Sequence, residues 1–336
     1  MYDRTGIVVK HTARRLSVAA ALLVSGSLLT ACGGGGGSAS EDGDTTTIQL
    51  GTYPNSVLSL PQVVAEGEGF FADEGLEVEP INGKTGPELV STLIGGTTQI
   101  AGASTGTAIP ALEQGQKLTV FPPFQKENKA ILVPEESGLS ALEDLEGKKI
   151  AVPARGGDAE SFAVDVMEEQ GVDPSAVTFV ATGAPGTMQA ALTNGTVDAG
   201  VLTVSAINQM RSNGTEVVAV ANSLDGSAGK RGEDGLAAFF ITTDDYWGEN
   251  PDTVEAFCRA MRTTTEFIAD DANRDAVAGY IAEYIGVDEE NSGEIYDNYR
   301  DSWTLEIDES LWEKNVRYIS DSAEIPFDIV ENGCGA

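Results

Sequence analysis

Between residues 46 and 121, short apolar runs alternate with amphipathic stretches and brief connections. The runs at 46–51, 76–80, 99–103 and 118–121 predict strands; Leu76-Glu77-Val78-Glu79-Pro80 alternates like a half-buried one. Helical periodicity lies between them at 60–71, 86–95 and 107–114, and Pro87 suits the first turn of its helix. The pattern restarts at Ile131-Leu132-Val133-Pro134. Strands are predicted at 150–152, 177–180 and 197–202, and helices at 159–170 and from 185 to the Asn194-Gly195 stop. This second block ends near Ala221. Residues 225–234 are polar and glycine-rich and predict a loop, and 236–242 is apolar enough for a return strand. The remainder predicts helices at 251–269, 274–285, 292–297 and 310–320. Strand–helix alternation of this kind predicts an α/β fold with largely parallel pairing, and no solenoid period is present.

The N-terminus carries a different pattern. Lys10, Arg14 and Arg15 precede an apolar stretch from Leu16 to Ala31, which is short of the ~20 residues that a membrane span needs. Leu29-Thr30-Ala31-Cys32 closes it, and five glycines, Gly33 to Gly37, follow. Basic, apolar and small residues in that order form a secretory signal. With Cys32 next in line, the run resembles a bacterial lipoprotein lipobox. That resemblance implies a signal peptide over 1–31, lipidation (palmitate) of Cys32, a flexible tether over 32–44, and an extracytoplasmic body anchored to the cell membrane. An uncleaved anchor or a plain secreted protein is the alternative. Arg14-Arg15 leaves the export route open.

Charge and missing residue types narrow the chemistry. The 336 residues carry a formal charge of −33; residues 1–31 hold Arg4, Lys10, Arg14 and Arg15 against Asp3, a net +3, so without them −33 becomes −36. Such a field repels nucleic acid and anionic surfaces, so no nucleic-acid partner is expected. The only histidine is His11, inside the signal. The body therefore lacks Ser-His-Asp and Cys-His catalysis and histidine metal sites, and neither metal nor cofactor is expected. Cys258 and Cys334 are left as an even pair outside the cytosol, which reads as a disulfide. Two free thiols are the alternative.

Three motifs occur together. Residues 63–78 hold a helix, the run Gly69-Phe70-Phe71-Ala72-Asp73-Glu74-Gly75, and a strand. Residues 89–102 hold a helix, a glycine turn and a strand. Residues 142–152 contain Asp144-Leu145-Glu146-Gly147-Lys148-Lys149 before a strand and a Gly-rich turn. In combination they resemble the solute-binding proteins of ABC importers, in the nitrate/sulfonate/taurine and thiamine-pyrimidine (NMT1/THI5-like) branch, over roughly 46–323. The resemblance implies a two-lobe, type II periplasmic-binding-protein-like α/β fold with a ligand cleft between the lobes. Lobe 1 would be 45–133 plus 236–336, and lobe 2 would be 134–235.

It also implies a monomer that captures a small-molecule solute by lobe closure and hands it to an ABC permease. The solute would be a small organic anion or a heteroaromatic compound, of the sulfonate, nitrate, taurine or pyrimidine-precursor kind. Loops after strands should face the cleft, with helix N-termini offering free N–H groups. The candidate ligand residues are Tyr53, Asn55, Ser56, Gly86, Ser104, Thr105, Gly106, Arg155, Gly157, Asp158, Thr203 and Ser205. Each has a plainer reading: 104–107 as a helix cap, 155–158 as a turn, Arg155 as a surface arginine, Tyr53 as packing. The aromatic and polar wall common in sulfonate-type relatives is replaced here by Val201-Leu202-Thr203-Val204-Ser205-Ala206, which implies a larger or less charged ligand. Two other classes stay open: a carboxylate-dependent extracytoplasmic enzyme, with Asp158 as the nominated acid, and a ligand-sensing accessory protein.

Overall fold

The computed structural model describes residues 45–333 apart from Lys84, Ala184 and Asp321. The signal segment, Cys32, the glycine tether and Cys334 lie outside the described residues. Among the described residues eleven strands form two sheets: β1 (Thr46–Thr52), β2 (Leu76–Asn82), β3 (Ile100–Ser104), β4 (Leu118–Lys126), β5 (Lys129–Pro134), β6 (Lys149–Val152), β7 (Thr178–Ala181), β8 (Ala199–Thr203), β9 (Val217–Asn222), β10 (Leu236–Thr243) and β11 (Trp303–Thr304). The first sheet runs β11-β4-β10-β3-β1-β2 and the second β7-β6-β8-β5-β9. Pairing is parallel where helices connect the strands, between β1 and both β2 and β3, and between β6 and both β7 and β8. It is antiparallel around β4, β5 and β10. The expected parallel character thus holds for only part of each sheet, because strands that carry the chain between sheets re-enter in the opposite sense.

The chain leaves the first sheet after Lys126 and enters the second at Lys129, so Ile131–Val133 belong to the second sheet. This moves the crossing a few residues ahead of the 133/134 boundary. The reason is that β5 finds both its hydrogen-bonding neighbours, β8 and β9, in the second sheet. The return crossing lies between β9 and β10.

Helices cover both faces of the first sheet. On one face Phe121, Phe240 and Phe257 pack ring to ring with centroids 5.1–6.1 Å apart, backed by Ile48, Leu50, Phe71 and Met261. On the other face Phe124, Phe239 and Trp312 are joined by Val120, Ile109 and Leu93. Phe257 and Met261 come from the helix Pro251–Ala269, the span that the pattern predicts. The predicted helix 60–71 breaks into Leu60–Glu68 and Phe70–Asp73 because Gly69 takes a left-handed φ of 81° that ends the first piece. In the predicted loop 225–234, residues Gly229–Asp234 are a helix, whose Arg231 is buried. Among the described residues no helix is long and apolar enough to cross a membrane.

Candidate functional site

At the carboxyl edge of the first sheet four strands place one residue each in a single cross-strand row. Ser104 on β3 pairs with Ala238 on β10, Ala238 with Gln125 on β4, and Gln125 with Trp303 on β11. Directly opposed residues project to the same face of a sheet. Ala238 and Trp303 line a tight gap with Tyr53, Leu58, Ala103, Pro123, Phe239 and Phe240, and Gln125 is opposed to both of them in the row. The gap has no free volume for even one water molecule, whereas small-molecule pockets usually hold ~300–1,000 Å³, so a ligand enters only if the walls part.

Tyr53 hangs over this row. Its hydroxyl accepts from the Ser104 N–H at 3.4 Å, and burial pushes its pKa up. The loop behind it is fixed at two points: Tyr53 N–H donates to Ser59 Oγ at 3.0 Å, and the Tyr284 hydroxyl donates to the Tyr53 carbonyl at 2.8 Å. The row is short of hydrogen bonds. Both amide atoms of Gln125, the Trp303 Nε1 and the Asn128 Nδ2 are buried with no partner among the described residues. Buried polar groups are almost always paired, and an unpaired one calls for a reason.

Two residues along the chain the situation reverses. Glu127, Lys129, Asp158, Asp165 and Arg231 form one connected ion cluster. Arg231 reaches Glu127 at 2.8 Å, Asp165 at 3.1 Å and Asp158 at 3.3 Å, and Lys129 reaches Asp158 at 2.6 Å and Glu127 at 2.8 Å. The Arg231 guanidinium also lies 4.4 Å over the Tyr318 ring. Burial alone would push the Lys129 ammonium down, but Asp158 and Glu127 outweigh it and hold it above the usual lysine range. Burial would raise the Asp158 carboxyl, yet Lys129 and Arg231 keep it below the usual range. Asp165 is the exception: burial pushes it up to about 6, against the pull of Arg231.

The two sheets meet at this cluster. Gly106, at the start of the helix Thr105–Glu113, lies so close to Asp158, at the start of the helix Asp158–Glu169, that a Cβ on Gly106 would stand 2.3 Å from Asp158 Cβ. Only glycine permits that approach. The carboxyl ends of β3 and β6 therefore face one another.

The structure gathers some of the candidate ligand residues and scatters others. Tyr53 and Ser104 meet, Ser104 Oγ lies 2.8 Å from Thr107 Oγ1, and Gly86 abuts Thr107. Thr105 is buried, and its hydroxyl donates to the Leu236 carbonyl at 2.6 Å, tying β3 to the return strand. Thr203 Oγ1 and Ser205 Oγ are 3.1 Å apart. The Ser205 N–H donates to the Tyr299 hydroxyl at 3.1 Å, whose pKa burial pushes up to about 12. The Val204 N–H donates to the Asn128 carbonyl at 2.7 Å, which brings the second-sheet loop to the crossing. Gly157 precedes the helix Asp158–Glu169 and accepts from the N–H groups of Glu160 and Ser161. Ser56 caps a short turn by accepting from Leu58 N–H, and Asn55 is exposed at φ 55°. Arg155 stands apart: it is exposed, chelates Glu160 at 2.8 and 3.0 Å and donates to the Phe179 carbonyl. The sequence pattern does not point to Gln125, Asn128, Arg231 or Trp303. The available signal was a glutamine closing the run Phe121-Pro122-Pro123-Phe124-Gln125.

Comparison with known proteins fits this geometry. No curated protein sequence matches the chain. Among solved structures, the alkanesulfonate-binding protein SsuA from Xanthomonas axonopodis pv. citri, bound to MOPS, is similar at 18% identity and a TM-score of 0.69, over 85% of this chain and 98% of that one. The periplasmic nitrate-binding protein NrtA from Synechocystis PCC 6803 is similar at 15% identity and a TM-score of 0.60, over 74% and 69%. The desulfurization enzyme DSZB is similar at 15% identity and a TM-score of 0.57, over 81% and 91%. The fold is thus that of periplasmic binding proteins, and it also carries an enzyme. The family model described as NMT1/THI5 like matches residues 58–274, and the chain belongs to that family.

Proposed function

We propose that this chain is the substrate-binding protein of an ABC importer, and that it holds a small organic solute between two lobes built on the two sheets. The lobes are residues 45–126 with 236–336, and residues 129–235. One observation carries the reading: Gly106 and Asp158, each at a helix start beyond a strand's carboxyl end, touch across the gap between the sheets. That is where open α/β sheets bind ligands, and two crossing strands give the lobes a hinge. Solute binding by SsuA and NrtA supports the same reading. A carboxylate-based enzyme, which DSZB keeps in view, is the competitor. The nominated acid argues against it, since Asp158 has its oxygens on Lys129 and Arg231, leaving it poorly placed to exchange protons.

Export and anchoring at Cys32 belong to the same proposal, as does handover to a membrane permease. A Cys258–Cys334 disulfide is also proposed. It is supported by Arg262, one turn along the helix from Cys258, which donates to the carbonyl of Gly333, the neighbour of Cys334. Palmitate labelling lost on Cys32→Ala, with the precursor left uncleaved, is the expected result for the anchor. Equal labelling of both forms would rule it out.

The test of binding is a thermal-shift screen of the full chain against alkanesulfonates, taurine, nitrate, thiamine-pyrimidine precursors and aromatic carboxylates. A ligand at 100 times its dissociation constant adds about 2.7 kcal/mol. A stabilising compound recovered unchanged supports the proposal. A compound recovered chemically altered would replace it with an enzyme.

A further inference from the structure

The buried row at the first sheet's edge says what kind of solute fits. Its polar atoms are those of a neutral reader. Gln125 offers a donor, Nε2, and an acceptor, Oε1, side by side, and Trp303 Nε1 adds a donor; the unpaired Asn128 Nδ2 lies in the crossing just beyond β4. Gln125 is fully buried, Asn128 is 1% exposed and Trp303 8%, so solvent does not satisfy them. The cations near the row are engaged: Lys126, next in the chain, is exposed and its ammonium donates to the Asp301 carbonyl at 3.3 Å. Lys129 and Arg231 are held by Glu127, Asp158 and Asp165, and Arg155 is turned away onto Glu160. A desolvated anion needs a paired positive charge, and here three carboxylates face two cations. An amide, by contrast, pairs fully only with a group that presents an acceptor next to a donor. The tight gap beside Trp303 is walled largely by rings, those of Tyr53, Pro123, Phe239, Phe240 and Trp303 itself.

We propose that the solute of this site is uncharged and planar, and that Gln125 and Trp303 read its edge: a carboxamide, lactam or amino-azine face rather than a sulfonate, nitrate or carboxylate. The inference rests on the binding-protein reading above and narrows it. Loss of that edge leaves the Gln125 amide buried and unpaired in the complex, which is how a hydrogen-bonding site rejects analogues.

Calorimetric titration of the full chain with three compounds sharing one ring, benzamide, benzoate and benzenesulfonate, tests it. Benzamide should bind at least about tenfold tighter than either anion. Gln125→Leu should weaken benzamide by about tenfold or more while leaving the anions unchanged. Trp303→Phe keeps an aromatic ring, removes only the N–H, and reads the same contact should Gln125→Leu fail to fold. An anion binding as tightly as benzamide would overturn the proposal, as would benzamide affinity indifferent to both substitutions. Failure of all three compounds to bind would overturn it too. In that case a nitrate or alkanesulfonate hit in the stability screen would leave the binding-protein reading standing, and a panel without any hit would remove both.

Discussion

Gln125, on β4, and Glu127, in the crossing that follows it, sit two residues apart, both fully buried, and their surroundings are opposites. Around Glu127 every charge is answered: two cations and three carboxylates close on one another, and Tyr318 lies under Arg231. Gln125 and its cross-strand neighbour Trp303 instead bury side-chain polar atoms that have no partner among the described residues. Burial alone therefore does not identify a structural role. A saturated polar cluster holds its neighbours in place, whereas an unsaturated one calls for a partner that the described residues do not supply. The saturated cluster joins the two crossings and the Asp158–Glu169 helix, which suits a hinge. The unsaturated row lies at the carboxyl edge, which suits a ligand.

The comparison can be broken most forcefully at Arg231. Arg231→Met leaves Glu127 buried with only Lys129, and the expected cost is about 3–5 kcal/mol in urea unfolding; a loss below about 1 kcal/mol would mean the cluster is not structural. Gly106→Val comes next. Its side chain would collide with Asp158, so a cost of about 1–3 kcal/mol is expected, with a larger radius of gyration by X-ray scattering. An unchanged radius would show that this contact does not set how closely the sheets approach. The smallest charge effect is at Asp165. Its carboxyl is raised from 3.8 to about 6, mainly by burial. The folded chain therefore holds this proton more tightly than the unfolded chain does. The stability it contributes is full below pH about 4 and is lost as pH rises through about 6. Asp165→Asn should flatten that slope, gaining on the parent protein at pH 7.5 relative to pH 4. Parallel pH profiles would contradict the assignment.

Much of the fold is legible in the sequence because its signals are local. Apolar runs bounded by Gly, Asn and Pro mark β1–β4, β6 and β10 to within a few residues. Amphipathic periodicity marks the helix Pro251–Ala269 from end to end. The crossing is less legible, since whether Ile131–Val133 extend one sheet or open the next depends on pairing with Val201 and Val218, far along the chain. The helix Gly229–Asp234 is hidden by its glycines and charges; only the carboxylates waiting around Arg231 make its burial affordable. For the site, turn chemistry points to Tyr53, Ser104 and Gly106, whose loops follow strands. It does not point to Gln125 and Trp303, because their significance is an absence of partners in three dimensions. Trp303 also sits on a two-residue strand among helices, too short to leave a pattern.

The most direct test of the contrast needs no ligand: the unfolding free energy of Gln125→Leu, measured in urea beside the parent protein. If the amide is kept for a solute, its removal relieves a buried unpaired group. Stability should then be equal or higher by up to about 1–3 kcal/mol, with the same dependence on urea. A loss of more than about 1 kcal/mol would show that Gln125 is part of the scaffold after all and that the row is not a binding site.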